Sequence, residues 1–142
     1  MPALLKDMGY FLISIEEYIS EKKKDILLEK LVRVKLKDKN VFFRQLANLI
    51  ESGMPILRAL RTLKNQATNP KLAEIVEDLH DSVQKGSDFA EALEKHPKTF
   101  PAMYTNLVRA GETGGMLEDV LWRIVAFGEQ DEELRGKAFQ AM

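Results

Sequence analysis

A chain of 142 residues with 45% apolar and 30% charged side chains has the make-up of one ordinary globular domain, long enough to bury a core. It contains no cysteine, which excludes disulfide scaffolds, thiolate zinc sites and cysteine nucleophiles, and no run reaches the roughly 18–20 apolar residues of a membrane span. The net charge of −1 is uneven: residues 1–39 hold 9 Lys and Arg against 7 Asp and Glu, whereas residues 40–142 hold 12 against 15.

The organisation divides near residue 40. Residues 4–19 read as the end of a short helix, a turn at Gly9 and a β-like stretch, too small for a core of their own. Residues 20–39 are charge-rich, and Leu31, Val32, Val34 and Leu36 first cluster and then alternate with Arg33 and Lys35, as in a helix fading into an extended linker. The basic run Lys22-Lys23-Lys24 has no interleaved aromatics, and Asp25, Glu29 and Asp38 dilute its field. That argues against a nucleic-acid arm and for a solvated linker or an anionic membrane surface.

From Asn40 the pattern is helical throughout. A helix over about 41–52 carries Phe42, Leu46, Leu49 and Ile50 on one face, and Gly53 followed by Pro55 supplies a helix stop and a helix start. The second, about 55–67, uses Ile56, Leu57, Leu60 and Leu63; Pro70 opens a third bearing Leu72, Ile75, Val76, Leu79 and Val83, ended by Gly86. Ser87 or Asp88 caps a short fourth helix, Asp88 and Glu91 having the spacing of a capping box, and His96-Pro97 ends it. Phe100-Pro101 starts the fifth, which runs into the corner Arg109-Ala110-Gly111-Glu112-Thr113-Gly114-Gly115-Met116-Leu117. There Gly111 and Gly115 supply backbone freedom, and Glu118 and Asp119 complement the dipole of a sixth helix running to about Arg135. Short connections make the expected fold all-α, a compact six-helix bundle of antiparallel helices preceded by a short mixed N-terminal segment.

The corner lacks the Gly-Lys-Ser/Thr of a phosphate loop and follows a helix rather than a strand. Glu112, Glu118 and Asp119 offer hard oxygens to a divalent cation, but first-turn acids beside a helix dipole need no ion to explain them. His80 and His96 have no second ligand at metal spacing. No catalytic constellation, cofactor site or metal site is nominated, and the chain is not expected to be an enzyme. Arg44 and Gln45 beside the first apolar face, with Arg109 and Glu112 at the corner, are the candidate partner-binding or structural residues, an Arg109–Glu112 ion pair among the possibilities. Met103, Trp122 and Phe127 are candidates for a dimer contact.

Three spaced blocks occur in order: Phe42 to Leu60, Gly86-Ser87-Asp88-Phe89-Ala90-Glu91-Ala92-Leu93, and Phe100-Pro101 through Tyr104 to the Gly111-Glu112 corner. Together they resemble the type II secretion F domain of inner-membrane platform proteins, over about 41–137. Gly114 departs from the pattern, standing where a small hydroxyl residue is common. The resemblance implies three regions: an N-terminal segment and charged linker at 1–39, a six-helix domain at 40–136, and a lead-in to a membrane helix at 137–142. It also implies a parent protein in the bacterial inner membrane with this domain facing the cytoplasm. Its partners would be a cytoplasmic pilus or secretion ATPase, other inner-membrane assembly components, pilin or pseudopilin, and a second copy in a homodimer, with no nucleic acid. A free-standing helical adaptor with no membrane link is the competing reading.

Overall fold

The computed structural model describes residues 33–140 together with Ser20, Lys22 and Lys23, so the elements expected over 4–19 and most of the stretch 20–32 lie outside the described residues. The chain divides into two compact units, Met1–Arg33 and Val34–Met142. The second carries six helices: α1 (Leu36–Glu51), α2 (Ile56–Gln66), α3 (Pro70–Gln84), α4 (Phe89–Glu94), α5 (Ala102–Gly114) and α6 (Leu117–Gln140). No strand occurs among the described residues, and the fold is the all-α bundle the periodicity implies.

Three boundaries differ from expectation, one being the end of α6, which runs to Gln140 and not to about Arg135. Helix α1 begins at Leu36, not near 41, because Asp38 in its first turn accepts the Lys35 N–H at 3.0 Å and so starts the helix inside what reads as linker. The same carboxylate oxygen accepts from Asn69 Nδ2 at 3.1 Å, tying the start of α1 to the start of α3. Helix α5 does not stop at Gly111 but continues to Gly114.

The remaining ends follow the sequence signals closely. At the end of α1, Met54 N–H reaches Leu49 C=O and Gly53 N–H reaches Ile50 C=O, each at 3.0 Å, with Gly53 at φ +92°. The end of α3 repeats this pair of bonds through Ser87 to Ser82 and Gly86 to Val83. Each is the reversal that a left-handed residue permits and that satisfies otherwise orphaned carbonyls. Asn69 caps α3 by accepting from the N–H groups of Lys71 and Leu72, and Pro70 fills the first position, where no N–H is needed.

One core unites the helices. Leu46 and Ala47 of α1, Ala59 and Leu60 of α2, Val76 and Leu79 of α3, Ala92 and Leu93 of α4, Val108 of α5 and Leu121 of α6 are all fully buried. An aromatic cluster closes one part of it: Phe43 stacks on Tyr104 at 5.4 Å between centroids and meets Phe42 and Phe100 edge-on at 5.2 and 5.8 Å. Burying each such ring stabilises the fold by about 1.5–3 kcal/mol relative to leaving it in water. Residues Phe42, Phe43, Phe100 and Tyr104 come from α1, the loop before α5 and α5 itself, so these rings fix how α1 and α5 pack.

Candidate functional site

The glycine corner is a precise joint between α5 and α6. Gly115 has φ +69°, Met116 N–H donates to Gly111 C=O at 2.7 Å, and the chain turns directly into α6. A side chain at Gly115 would be strained by the left-handed backbone. Gly111 has another reason to be glycine. It is buried inside α5, and a Cβ there would lie 2.9 Å from Val120 Cγ2 and 3.3 Å from Leu117 Cα. The missing side chain lets the first turn of α6 cross α5 closely. Gly53 ends α1, and Pro55 stands at the N-cap of α2 with extended backbone.

Glu112 sits on the half-buried side of this joint and reaches the N-terminus of α4. Its Oε2 accepts Phe89 N–H at 3.0 Å and its Oε1 accepts Ala90 N–H at 2.8 Å. A carboxylate on two first-turn N–H groups satisfies orphan donors and complements the helix dipole. Asp88 occupies the N-cap position, yet its side chain makes no capping hydrogen bond. The expected Asp88–Glu91 capping box is therefore replaced by a cap supplied from 23 residues away.

Arg109 does not pair with Glu112. It projects from α5 to Glu94 at the end of α4, so Arg109–Glu94 and Glu112–Phe89/Ala90 tie α5 to the two ends of α4. Arg44 lies apart from this corner, its guanidinium gripping Glu129 Oε1 of α6 through Nε at 2.7 Å and an Nη at 2.6 Å. Gln45 is exposed on α1. The four nominated residues thus form no single site. Each pair is about half exposed, which holds its worth to about 0–1 kcal/mol and leaves its charges within reach of a partner. Of the proposed dimer residues, Phe127 is exposed while Met103 and Trp122 pack partly against the core.

One buried polar residue that the sequence reading passes over, Asn40, holds α1 to α6. Asn40 is 6% exposed, and its Nδ2 donates to Gly128 C=O at 2.8 Å and to Glu132 Oε2 at 3.1 Å. Gly128 is required: a Cβ there would fall 2.1 Å from Asn40 Oδ1. An isolated glycine inside a helical run was the available signal, since such a residue usually marks close packing. Nearby, Lys39 Nζ lies 5.5 Å from the centre of the Tyr104 ring. Burial and then Asp131 push the Tyr104 phenol above its ordinary value of 10.0, while Arg135 opposes them.

An open groove lies between α3 and the turn after α4. Asp78, Asp81, Lys95, His96 and Thr99 are among its walls. His96 Nε2 is 2.6 Å from Asp78 Oδ2, and Lys95 Nζ donates to the buried Ser82 hydroxyl at 2.9 Å. Both histidines sit at the boundary between core and solvent, each beside an aspartate. What all these groups provide is helix capping, ion pairing and a surface of mixed charge.

The six-helix unit is similar in sequence to known proteins. Residues 42–142 match the family model for type II secretion system (T2SS), protein F. A type IV pilus assembly protein PilC of Thermus thermophilus is 42% identical over 98% of this chain and 34% of its own length. The PilC of Myxococcus xanthus is 39% identical over 83% of this chain and 28% of its own. A type II secretion system protein F of Xanthomonas campestris is 38% identical over 71% and 25%, respectively. The chain therefore spans about a third or less of the length of these relatives. With a matched region that covers α1 from Phe42 through α6, the chain belongs to the type II secretion system protein F family.

Proposed function

We propose that this chain is the cytoplasmic domain of an inner-membrane platform protein of a type IV pilus or type II secretion machine. In this reading it contacts a cytoplasmic assembly ATPase and helps convert nucleotide hydrolysis into insertion or removal of pilin or pseudopilin. The observation that carries the reading is family membership over the whole six-helix unit, with relatives named for pilus assembly and for secretion. The domain organisation in this reading is an N-terminal segment and linker, expected at 1–39, and a six-helix domain, expected at 40–136, whose helices run from Leu36 to Gln140 in the structure. No helix among the described residues is long and apolar enough to cross a membrane.

The geometry supports a binding role for the exposed charges and a structural role for the corner. Arg44 and Arg109 each hold a half-exposed carboxylate in an ion pair that an incoming charged surface can exchange at little cost. Glu112 spends both oxygens on α4, so its part in partner contact is indirect, through the position of that helix. The domain supplies contacts and the ATPase supplies the chemistry; homodimerisation through exposed Phe127 is part of the same proposal.

The test is genetic. Deleting codons 34–136 in frame from the parent gene is expected to abolish surface pili or secretion while pilin and ATPase levels stay normal. Normal assembly in the deletion strain would remove the proposed role.

A further inference from the structure

The packing of α6 changes character along its length. Val120, Leu121, Ile124 and Val125 are buried, but no buried apolar side chain follows Val125 on this helix among the described residues; Phe127 and Leu134 are 47% and 58% exposed. From residue 128 onward the attachments to the bundle are polar. Asn40 binds Gly128 C=O and Glu132, Arg44 binds Glu129, and the Tyr104 phenol lies within the fields of Asp131 and Arg135. Asp131 and Arg135 also pair along the helix at 3.4 Å.

We infer that residues 128–136 form a detachable arm of α6, clasped to α1 by Asn40 and Arg44 and able to release while the apolar core stays folded. The inference goes beyond the proposed function and holds whatever the domain's partner is. Its physical basis is a difference in local stability. Residues 117–125 leave the bundle only by exposing Leu121, Ile124 and Val125, which approaches the cost of global unfolding. Release of the arm exposes no large buried apolar side chain of α6 and exchanges its hydrogen bonds for bonds to water. The clasp is also specific in register. Asn40 fits against α6 only where residue 128 lacks a Cβ, so the arm has one docked position and not a sliding series.

Hydrogen exchange followed residue by residue by NMR on the 142-residue chain tests this, with the wild type, Asn40→Ala and Arg44→Gln compared at low and high salt. In the wild type the amides of 129–136 are expected to open with a clearly lower free energy than those of 119–126, and in Asn40→Ala they are expected to exchange at least ~10-fold faster, with those of 119–126 accelerating by no more than the same factor and remaining the slower set. Arg44→Gln and high salt are expected to act in the same direction, more weakly. A frayed helix end that owes nothing to α1 would show the same arm rates in wild type and Asn40→Ala, and that result overturns the inference. Equal opening free energies for 129–136 and 119–126 in the wild type overturn it as well, since the arm would then be part of the core's cooperative unit. Arg44→Gln, at an exposed position, supplies the segmental comparison in a folded protein.

Discussion

Replacing Glu112 with alanine removes the acceptor of two backbone N–H groups whose residues, Phe89 and Ala90, are each 1% exposed. Loss of an ordinary N-cap costs about 1–2 kcal/mol, and hydrogen bonds to a charged group contribute about 1.5–3 kcal/mol each. Glu112 is itself only half buried, so water reaches part of the vacated site and the sum is not fully lost. A cost of about 2–3 kcal/mol is expected, equivalent to lowering the Tm by about 8–12 °C for a folded unit of this size. Urea denaturation followed by circular dichroism at 222 nm measures it. Asp88→Ala separates the two capping schemes, because the Asp88 side chain makes no capping bond in the folded state and its loss is expected to cost less than ~0.5 kcal/mol. In the Glu112→Ala background Asp88 can rotate to cap α4 itself, so the double variant is expected to be less stable than the two single losses imply. If Asp88→Ala costs more than Glu112→Ala, the cap from across the bundle is wrong and the local capping box is right.

Gly128→Ala is expected to destabilise the domain by about 2–4 kcal/mol, because the new methyl displaces the buried Asn40 amide from both acceptors; a thermal melt reads it. The two glycines that end α5 should respond in opposite directions. Gly114→Ala meets open space at ordinary backbone angles and should stabilise by about 0.5–1 kcal/mol, whereas Gly115→Ala forces alanine into φ +69° and should destabilise by about 1–2 kcal/mol in the same melts. Tyr104 supplies a pH test. Its folded pKa is raised above 10.0, so the folded state holds the phenolic proton more tightly, and the stability it contributes is present below pH 10 and is lost as pH rises through the folded value. Absorbance at 295 nm should show one tyrosine ionising late, and Tyr104→Phe should remove that late step and flatten the alkaline loss of stability.

Much of the fold is legible because its punctuation is local. Gly53, Gly86, Pro70 and Gly115 act on the backbone within a few residues, and their chemistry can be read without knowing what lies opposite. The start of α1 is misread for a specific reason. Leu31, Val32, Val34 and Leu36 suggest a strand-like alternation, and only Asp38 reaching back to Lys35 shows that the helix has already begun at Leu36. Glu112 and Arg109 are singled out in the sequence, but the groups they bind are not, because Phe89, Ala90 and Glu94 meet them only after α4 and α5 pack together. Asn40 with Gly128 is the deepest omission. Eighty-eight residues separate them, and neither a lone asparagine near a helix start nor a lone glycine within a helix says which partner it awaits.

Binding to the motor is the claim on which the functional reading rests. The direct measurement is titration of the purified 142-residue chain against the assembly ATPase encoded by the same genome, by calorimetry, with Arg44→Ala and Arg109→Ala as folded controls. Saturable binding weakened several-fold by at least one of the two arginine substitutions, with helicity unchanged, is the expected result. An absence of binding to the ATPase in every nucleotide state, with the domain folded, would contradict it.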